Sequence, residues 1–292
     1  MNRHPSPTLS QFAGLKVGDE VPVRIMGVLN VSPESFYQGS VHDNPVHLVE
    51  AACAMVNAGA NIIDLGAMST APYLKTLISE DEETARLSWA VSAVAAKIYV
   101  PVSADTKRAS AARVALTCGA QIINDVSGLK HDPQMAPLMV SSGAGAILMA
   151  SETVPRSGPP MERTIRALQE SVEVATQAGI PRAQIVLDPG IGFFRQPGIS
   201  WDEWDCLVLR ELRQLRHLGF PLLVGASRKS FIGKILDQAN PTDRLIGSLT
   251  CAAIAVYNGA HIIRAHDVKE TVEAVRMAER LRPRFPLSVS DG

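Results

Sequence analysis

A short phrase that recurs along the chain constrains its fold more than any other feature. The phrase is glycine, alanine, one variable residue and two isoleucines, and it stands at 59–63, 119–123 and 259–263, with a looser copy at 143–148. Glycine commonly ends a helix in the left-handed conformation, and a short β-branched run is typical of a strand buried on both faces. Each copy therefore predicts a junction between a helix and a strand.

Strands and helices are expected to alternate, because segments with helical periodicity separate eight apolar strand candidates. Examples of the helical segments are 46–58, 82–97, 109–117, 164–178, 244–257 and 268–281. Alternation predicts a parallel sheet, and eight units predict closure into a single (β/α)8 TIM barrel. A doubly wound open sheet is the alternative, but the Gly-x-Gly-x-x-Gly fingerprint that such sheets carry after the first strand is absent. The strand candidates are 23–29, 62–65, 100–104, 122–123, 146–149, 185–187, 222–224 and 262–263.

The length of the chain fits one such barrel with short additions at both ends. The sequence has 292 residues, and single barrels of this kind typically run to about 250. Residues 23–285 are expected to form the barrel domain. Residues 1–22 lie outside the repeating pattern and are expected to be a poorly ordered or barrel-plugging extension, and 286–292 a C-terminal tail.

Charge and cysteine content favour a small-molecule partner in the cytoplasm. Lys and Arg number 28 against 29 Asp and Glu, so no basic excess calls for a nucleic acid or an anionic membrane. No apolar run approaches the ~20 residues of a membrane helix. Cys53, Cys118, Cys206 and Cys251 lack the close spacing of a zinc site and fit free thiols in a reducing compartment.

Polar residues follow the apolar runs, at the strand ends where such barrels build their active sites. A helix cap explains any single Asp or Asn there. It does not explain Lys, Arg and His converging on the same mouth, so the set predicts a ligand site. Its members are Asn30, Asp64, Gly66, Asp105, Asn124, Asp125, Ser151, Asp188, Ser227, Arg228, Lys229, Arg264 and His266.

The residue types suggest a flat heterocycle at the base of this site. Asp105 and Asp188 are carboxylates that suit the donor edge of a ring with an amidine-like amino group, and Asn124 can donate and accept together. A pterin has such an edge.

The basic side chains of this set suit an anionic substituent on the heterocycle. Lys229, Arg264 and His266 gather positive charge, which suits a diphosphate. The glycine- and serine-containing stretch 225–233 leads from a strand into a helix, whose first backbone N–H groups can hold an anion. The plainer alternative for that stretch is a loop with an N-cap serine. The sequence thus predicts an acidic floor and a basic rim.

Six separate segments, in this order, resemble dihydropteroate synthase, and the resemblance runs from residue 26 to about residue 271. The segments are MGVLNVSPESF at 26–36, SADT at 103–106, INDVSG at 123–128, DPGIGF at 188–193, GASRKS at 225–230 and RAHDV at 264–268. One such motif is weak evidence, whereas six in order are strong.

The resemblance implies roles for individual residues. The pterin ring is expected at Asp105, Asn124, Asp188 and Lys229. The diphosphate is expected at Asn30, Arg264 and His266, with a magnesium ion near Asn30. The p-aminobenzoate site is expected to involve Thr70, Pro72, Phe193, Phe194 and Ser230. Catalysis is expected to depend on Asp105, Lys229 and Arg264, and the stretches 31–45 and 67–80 correspond to the loops that close this family's site.

The resemblance also implies a reaction. The enzyme would be a transferase, joining a pterin methyl diphosphate to p-aminobenzoate with loss of pyrophosphate, and a homodimer. Breaking the carbon–oxygen bond leaves positive charge on the pterin methylene. Carboxylates near the ring and cations near the leaving group therefore stabilise opposite developing charges.

Departures from the family pattern concentrate in the two loops that close the site. Ala71 stands where the family has arginine, Met68 where it has an acidic residue, Gln38 near a usual aspartate, and Phe194 replaces a common glycine. Sulfonamides mimic p-aminobenzoate, so a protruding ring at Phe194 could exclude them and reduce sensitivity. The alternative is that Phe194 packs between barrel and helix.

Two other functions compete with the synthase. A methyltetrahydrofolate:corrinoid methyltransferase also binds a pterin at strand-end Asp and Asn residues, but its methyl donor carries no diphosphate for Lys229 and Arg264 to bind. A non-catalytic pterin-binding protein would keep the acidic floor and lose turnover, as the altered loops allow.

Overall fold

A closed barrel of eight parallel strands forms the body of the protein. The computed structural model describes residues 8–32, 39, 41–42, 44–68, 78–194 and 198–282. The described strands are β1 (Leu9–Phe12), β2 (Leu15–Gly18), β3 (Arg24–Asn30), β4 (Ile62–Gly66), β5 (Val102–Asp105), β6 (Ile122–Asp125), β7 (Gly145–Met149), β8 (Ile185–Asp188), β9 (Leu223–Val224) and β10 (Ile262–Ala265).

Helices lie between successive barrel strands. They are α1 (Pro45–Asn57), α2 (Glu80–Ala95), α3 (Ala109–Thr117), α4 (Met135–Ser142), α5 (Pro160–Ala178), α6 (Trp201–Arg210), α7 (Ser230–Ile235), α8 (Leu245–Tyr257) and α9 (Val268–Leu281). Short 3₁₀ turns cover Arg182–Gln184, Leu212–Leu218 and Pro241–Arg244. In the part of the chain that the structure describes, no helix combines the length and apolar composition needed to cross a bilayer.

Parallel pairing runs round the whole barrel in the order β8-β7-β6-β5-β4-β3-β10-β9. A parallel bridge between Leu187 and Leu222 joins the two ends of that order. The (β/α)8 barrel expected from the sequence is therefore confirmed. The repeated glycines act as expected, since Gly59, Gly119 and Gly259 have φ values of 110°, 111° and 104°, a region that favours glycine.

A hairpin of β1 and β2 closes the N-terminal end of the barrel. The ring of Phe12 is fully buried and shares a cluster with Val17 and the lowest inward-facing side chains of the strands. Gly145 admits this ring, because a Cβ there would come within 2.7 Å of it. Of the two possibilities for the N-terminal extension, the described residues from Thr8 onward form a plug.

Asp19 anchors the hairpin to the barrel through a buried ion pair. Arg216 donates two hydrogen bonds to its carboxylate, at 2.8 and 2.9 Å, and His261 lies 3.3 Å away. Burial raises the pKa of Asp19, but hydrogen bonds from His261 and Arg216 outweigh it, so the pKa lies well below its usual value. The carboxylate stays charged, and the N-terminal end of the barrel is a structural region.

Candidate active site

Side chains that point into the barrel form layers, because residues two apart in a strand face the same side. One buried apolar layer comes from alternate strands and contains Ile62, Ile122, Val186 and Ile262. Two residues further along the same four strands stand Asp64, Asn124, Asp188 and Arg264. These four, called the polar layer below, therefore lie above the apolar layer at the C-terminal end of the barrel.

The four barrel strands that alternate with these contribute the remaining inward-facing residues of the site. The lower inward-facing residues of these strands are Met26, Ser103, Ile147 and Leu223. Two positions further along the chain stand Val28, Asp105, Met149 and Gly225. Asp105 is paired with Asn124 across β5 and β6, which brings it beside the polar layer. Gly225 lies beside the stem of Arg264, since a Cβ there would be in ordinary van der Waals contact with the Cβ of Arg264, at 3.5 Å.

Arg264 ties the acidic groups together. Its Nε donates to Oδ2 of Asp64 at 2.7 Å, and its Nη2 lies 2.6 Å from the same oxygen and 3.1 Å from Oδ2 of Asp105. Asn124 donates to Asp64 at 3.3 Å. The expected separation into an acidic floor and a basic rim is therefore wrong for Arg264, whose guanidinium lies among the carboxylates and neutralises them.

Two carboxylate oxygens in this cluster are left without donors. Within the described part of the chain, Oδ1 of Asp64 and Oδ1 of Asp105 are buried and accept no hydrogen bond. A buried acceptor without a donor is costly, and native proteins retain few of them. Burial raises the pKa of Asp105 despite the opposing effect of Arg264. The cluster is thus arranged to receive N–H donors from a ligand.

Asp188 presents a third buried carboxylate, at the end of β8. Its Oδ1 accepts the backbone N–H of Gly190 at 2.8 Å, which fixes its orientation. Burial raises the pKa of Asp188, while Lys229 is the strongest influence that lowers it. Asp188 and Lys229 therefore belong to one electrostatic unit.

Lys229 follows β9 and extends across the mouth of the barrel. Its Nζ donates to the carbonyl oxygen of Ile191 and lies 4.6 Å from the centre of the Phe193 ring. Burial lowers the pKa of Lys229 to about 8, although Asp188 and Asp205 favour the charged form. At neutral pH the side chain is mostly an ammonium group with a readily lost proton.

His266 is neutral in this arrangement. Burial, followed by repulsion from Arg264, lowers the pKa of His266 to about 3. Its Nδ1 lies 3.0 Å from the hydroxyl of Ser227. The lowered pKa opposes the expectation that His266 adds positive charge, and the contact with Ser227 gives it a hydrogen-bonding role.

Comparisons with known proteins agree with this geometry. Residues 26–266 match the family model described as pterin binding enzyme. The chain is 39% identical over 262 residues to the dihydropteroate synthase of Escherichia coli strain K12, a match that covers 87% of this chain and 90% of the relative. The chain belongs to the dihydropteroate synthase family. The resemblance inferred from the six motifs is confirmed.

Solved structures of this family resemble nearly the whole chain. The Yersinia pestis dihydropteroate synthase, solved with a sulfonamide drug, is 36% identical with a TM-score of 0.84, covering 94% of this chain and 98% of its own. The Coxiella burnetii enzyme, in complex with pteroic acid, is 32% identical with a TM-score of 0.81, covering 96% and 100%. The predicted transferase is confirmed, since dihydropteroate synthases are transferases, and these relatives give no support to the corrinoid methyltransferase.

Arg228 is a framework residue, although it sits among the strand-end cations. Its φ of 56° is left-handed, and its guanidinium binds Asp267 at 2.6 and 2.9 Å. It also donates to the carbonyl oxygens of Pro241 and Thr242. Arg228 therefore holds the turn from which Lys229 extends.

Asn30 ends β3 beside β4. The residue is half-buried, and a Cβ on Gly66 would come within 2.9 Å of its Oδ1. Glycine at 66 thus keeps space around that oxygen. Among the described residues, no group of three His, Cys, Asp or Glu side chains could hold a metal ion.

The residues expected around p-aminobenzoate divide into three groups. Phe193 and Ser230 are half-buried near Lys229 in the fold. Phe194 is buried and stacks on Trp204, with ring centroids 4.7 Å apart. Thr70 and Pro72 lie outside the described residues, as do Ala71, Gln38 and most of the two loops.

Two carboxylates in or behind the site had no predicted role. Asp64 was among the polar strand-end residues, and its position two residues after a buried isoleucine was the signal that it points inward. Asp205 lies on α6, is fully buried and accepts the N–H of Gly192 at 2.7 Å. No strand-end pattern identifies a residue on a helix.

Proposed function

We propose that this chain condenses 6-hydroxymethyl-7,8-dihydropterin diphosphate with p-aminobenzoate, giving 7,8-dihydropteroate and pyrophosphate. The observation that carries the proposal is the pair of buried oxygens without donors on Asp64 and Asp105, which lie next to Arg264 and near Lys229. A flat ring rich in N–H groups with an anionic substituent matches both features.

The pterin ring is assigned to Asp105, Asn124, Asp188 and Lys229. The carboxylates accept from the amino group and ring N–H groups, and Asn124 both donates and accepts. Arg264 contacts one oxygen of Asp105, at 3.1 Å. That contact partly offsets the effect of burial on the pKa of Asp105, and donors from the ring to its other oxygen would favour the ionised form further.

The diphosphate is assigned to the outer side of the site, toward Arg264, His266 and Asn30. Arg264 supplies permanent charge, since a guanidinium is always protonated in proteins. Neutral His266 supplies a ring N–H that can donate to a phosphate oxygen, while its Nδ1 is held by Ser227. Asn30 supplies one amide oxygen.

Magnesium fits this proposed diphosphate site. The ion is commonly held by one or two protein oxygens together with substrate phosphates and water. Asn30 would be the protein ligand, and the space that Gly66 leaves beside its Oδ1 supports that assignment. When bound, magnesium neutralises charge on the leaving pyrophosphate.

The chemistry requires no covalent bond to the protein. The bond between the pterin methylene carbon and the diphosphate oxygen breaks, and its electron pair leaves with pyrophosphate. The amine nitrogen of p-aminobenzoate forms the new bond to that carbon and then loses one proton to water. Asp105 and Asp188 favour positive charge on the ring system during this step, while Arg264 favours the departing anion.

The arylamine is assigned to the side of Lys229 where Phe193 and Ser230 lie, with Thr70 and Pro72 from the second loop. Phe194 also borders the cavity beyond β7 that Phe193 lines. Reduced sulfonamide sensitivity is part of this proposal: the ring of Phe194, held by stacking on Trp204 at the edge of this cavity, would narrow the space for the sulfonyl group. Inhibition by sulfamethoxazole at matched p-aminobenzoate saturation should increase in Phe194→Gly, and strong, equal inhibition of both proteins would contradict it.

We further propose that the protein is a homodimer and that it works in the cytoplasm, which is a reducing compartment. The four cysteines are free, which supports a reducing environment.

A groove between α6, α7 and α8 is lined mainly by apolar side chains, and several residues there are exposed, namely Ile235, Leu236, Ile246, Ile254 and Tyr257. Contiguous exposed apolar surface of this kind is typical of protein interfaces.

The test is direct product formation. The purified protein is incubated with the pterin diphosphate, magnesium and isotopically labelled p-aminobenzoate, and labelled dihydropteroate is measured by mass spectrometry. Wild type should form product, and Lys229→Ala should lose most of the rate. Pterin binding without any product would contradict the synthase and favour the non-catalytic protein.

A further inference from the structure

One peptide group in the loop between β8 and α6 is hydrogen-bonded on both sides by charged groups. The carbonyl oxygen of Ile191 accepts from Nζ of Lys229. The N–H of Gly192, the other half of the same peptide group, donates to Oδ1 of Asp205 at 2.7 Å. An ammonium group and a fully buried carboxylate thus lie at opposite ends of one planar unit.

We infer that Asp205 is a positioning residue for Lys229 and acts through the peptide between Ile191 and Gly192. Because the peptide is planar, a bond to its N–H fixes the direction of its carbonyl group. The carbonyl in turn fixes where the ammonium group lies over the site. Charges at both ends polarise the peptide and strengthen both hydrogen bonds. This inference rests on the proposed function in that Lys229 is taken as a pterin-binding group.

The packing around Gly192 supports a tight coupling of this loop to Lys229. Gly192 has a φ of 84°, and a Cβ there would lie 2.8 Å from Cδ of Lys229. The stem of the lysine therefore runs directly over the glycine. Trp204, next to Asp205 on α6, stacks on Phe194 of the same loop. Two consecutive residues of α6 thus hold the loop at two points.

Asp205 also contributes to the charge balance at Lys229. Burial lowers the pKa of Lys229, and the groups that favour its charged form are Asp188, then Asp205, and more weakly Asp105. Arg264 disfavours the charged form, and His266 is neutral. Removing the charge of Asp205 should therefore shift the pKa of Lys229 further down.

Two substitutions separate the hydrogen bond from the charge. In Asp205→Ala both are lost, so the KM for the pterin diphosphate should rise on the order of ten-fold, the change expected for one lost hydrogen bond to a charged group. In Asp205→Asn the amide oxygen can still accept from Gly192, so KM should recover toward wild type. In both variants the basic limb of kcat/KM should move to lower pH.

A second readout needs no activity. Competitive labelling of lysines with acetic anhydride, followed by mass spectrometry, reports the pKa of Lys229 in the substrate-free protein. The pKa should fall in both Asp205 variants. Asp202→Asn is the matched control, because Asp202 lies in the first turn of α6 and binds Ser200 and Lys234 instead. It should leave Lys229 unchanged.

The pKa of Lys229 in the two Asp205 variants decides between a positioning role and general loop damage. An unchanged Lys229 pKa in both Asp205 variants overturns the inference, even if KM changes, since that pattern indicates general loop damage. If Asp205→Ala does not fold, Asp205→Asn decides by the same labelling. If the pKa of Lys229 falls in the Asp205 variants but the wild-type protein forms no dihydropteroate, the positioning role stands. The proposed function is then overturned instead.

Discussion

At the scale of single residues, Asp188 provides the sharpest test of pterin recognition. Asp188→Asn keeps one acceptor, which can still bind the N–H of Gly190, but the amide cannot accept at both positions as a carboxylate does. Pterin binding should weaken by about 2 kcal/mol. Isothermal titration with the pterin diphosphate measures this loss, and thermal unfolding should change less. Wild-type affinity in the variant would remove Asp188 from the pterin site.

Lys229 gives the reaction a pH dependence. Burial lowers its pKa to about 8, so the ammonium form is present below that pH and is lost as pH rises through it. If the charged form is needed, kcat/KM for the pterin diphosphate should fall above about pH 8. On the acid side, burial raises the pKa of Asp105 and Asp188, so their carboxylates are protonated at higher pH than usual.

The control for this profile is Lys229→Arg. A guanidinium does not lose its proton in this range, so the variant should be slower but should lack the basic limb. The rate constants are measured from about pH 6 to pH 10 at saturating p-aminobenzoate. A basic limb that persists in Lys229→Arg would mean that another group is titrating.

At the scale of elements, apolar periodicity predicted where strands and helices lie but not where every strand ends. Helices α3 and α9 match the predicted segments 109–117 and 268–281. Strands β5, β8 and β10 extend past the predicted apolar runs to Asp105, Asp188 and Ala265. Asp105 and Asp188 continue their strands because their side chains point into the barrel and find hydrogen-bonding partners there. A pattern of apolar residues does not indicate such polar strand ends.

Short helices were expected between the strands, but their bounds could not be predicted from the sequence. Helix α7 has six residues and α4 has eight, too few turns for a periodic apolar pattern to stand out. The bounds of helix α6 and the role of Asp205 could not be predicted from the sequence either. The strand-end rule identified the residues that the barrel brings together, whereas contacts made from an outer helix depend on tertiary packing.

The hairpin is expected to stabilise the barrel without touching its chemistry. Phe12→Ala removes a fully buried ring from the N-terminal end, and the free energy of unfolding should fall by about 3–5 kcal/mol. Leu9→Ala is the matched control, because Leu9 lies in the same hairpin and is 53% exposed. Urea unfolding measures the stability of both. A similar small loss in the two variants would show that the hairpin does not plug the barrel.

At the scale of the whole molecule, the apolar face of α7 and α8 predicts self-association. Ile254→Lys places a charge in the proposed interface and should convert a dimer to a monomer in sedimentation velocity. Tyr99→Lys is the control, because Tyr99 is 86% exposed outside this face. A wild-type monomer, or a dimer unaffected by Ile254→Lys, would contradict the proposed interface.

The buried carboxylates and the cations beside them are proposed to serve one condensation. Pyrophosphate release is the most direct measurement, with the pterin diphosphate and magnesium present and p-aminobenzoate either added or omitted. With p-aminobenzoate present, the pyrophosphate released should equal the dihydropteroate formed, because each condensation breaks one carbon–oxygen bond and forms one carbon–nitrogen bond. No release, or release that is independent of p-aminobenzoate and yields no dihydropteroate, would contradict it.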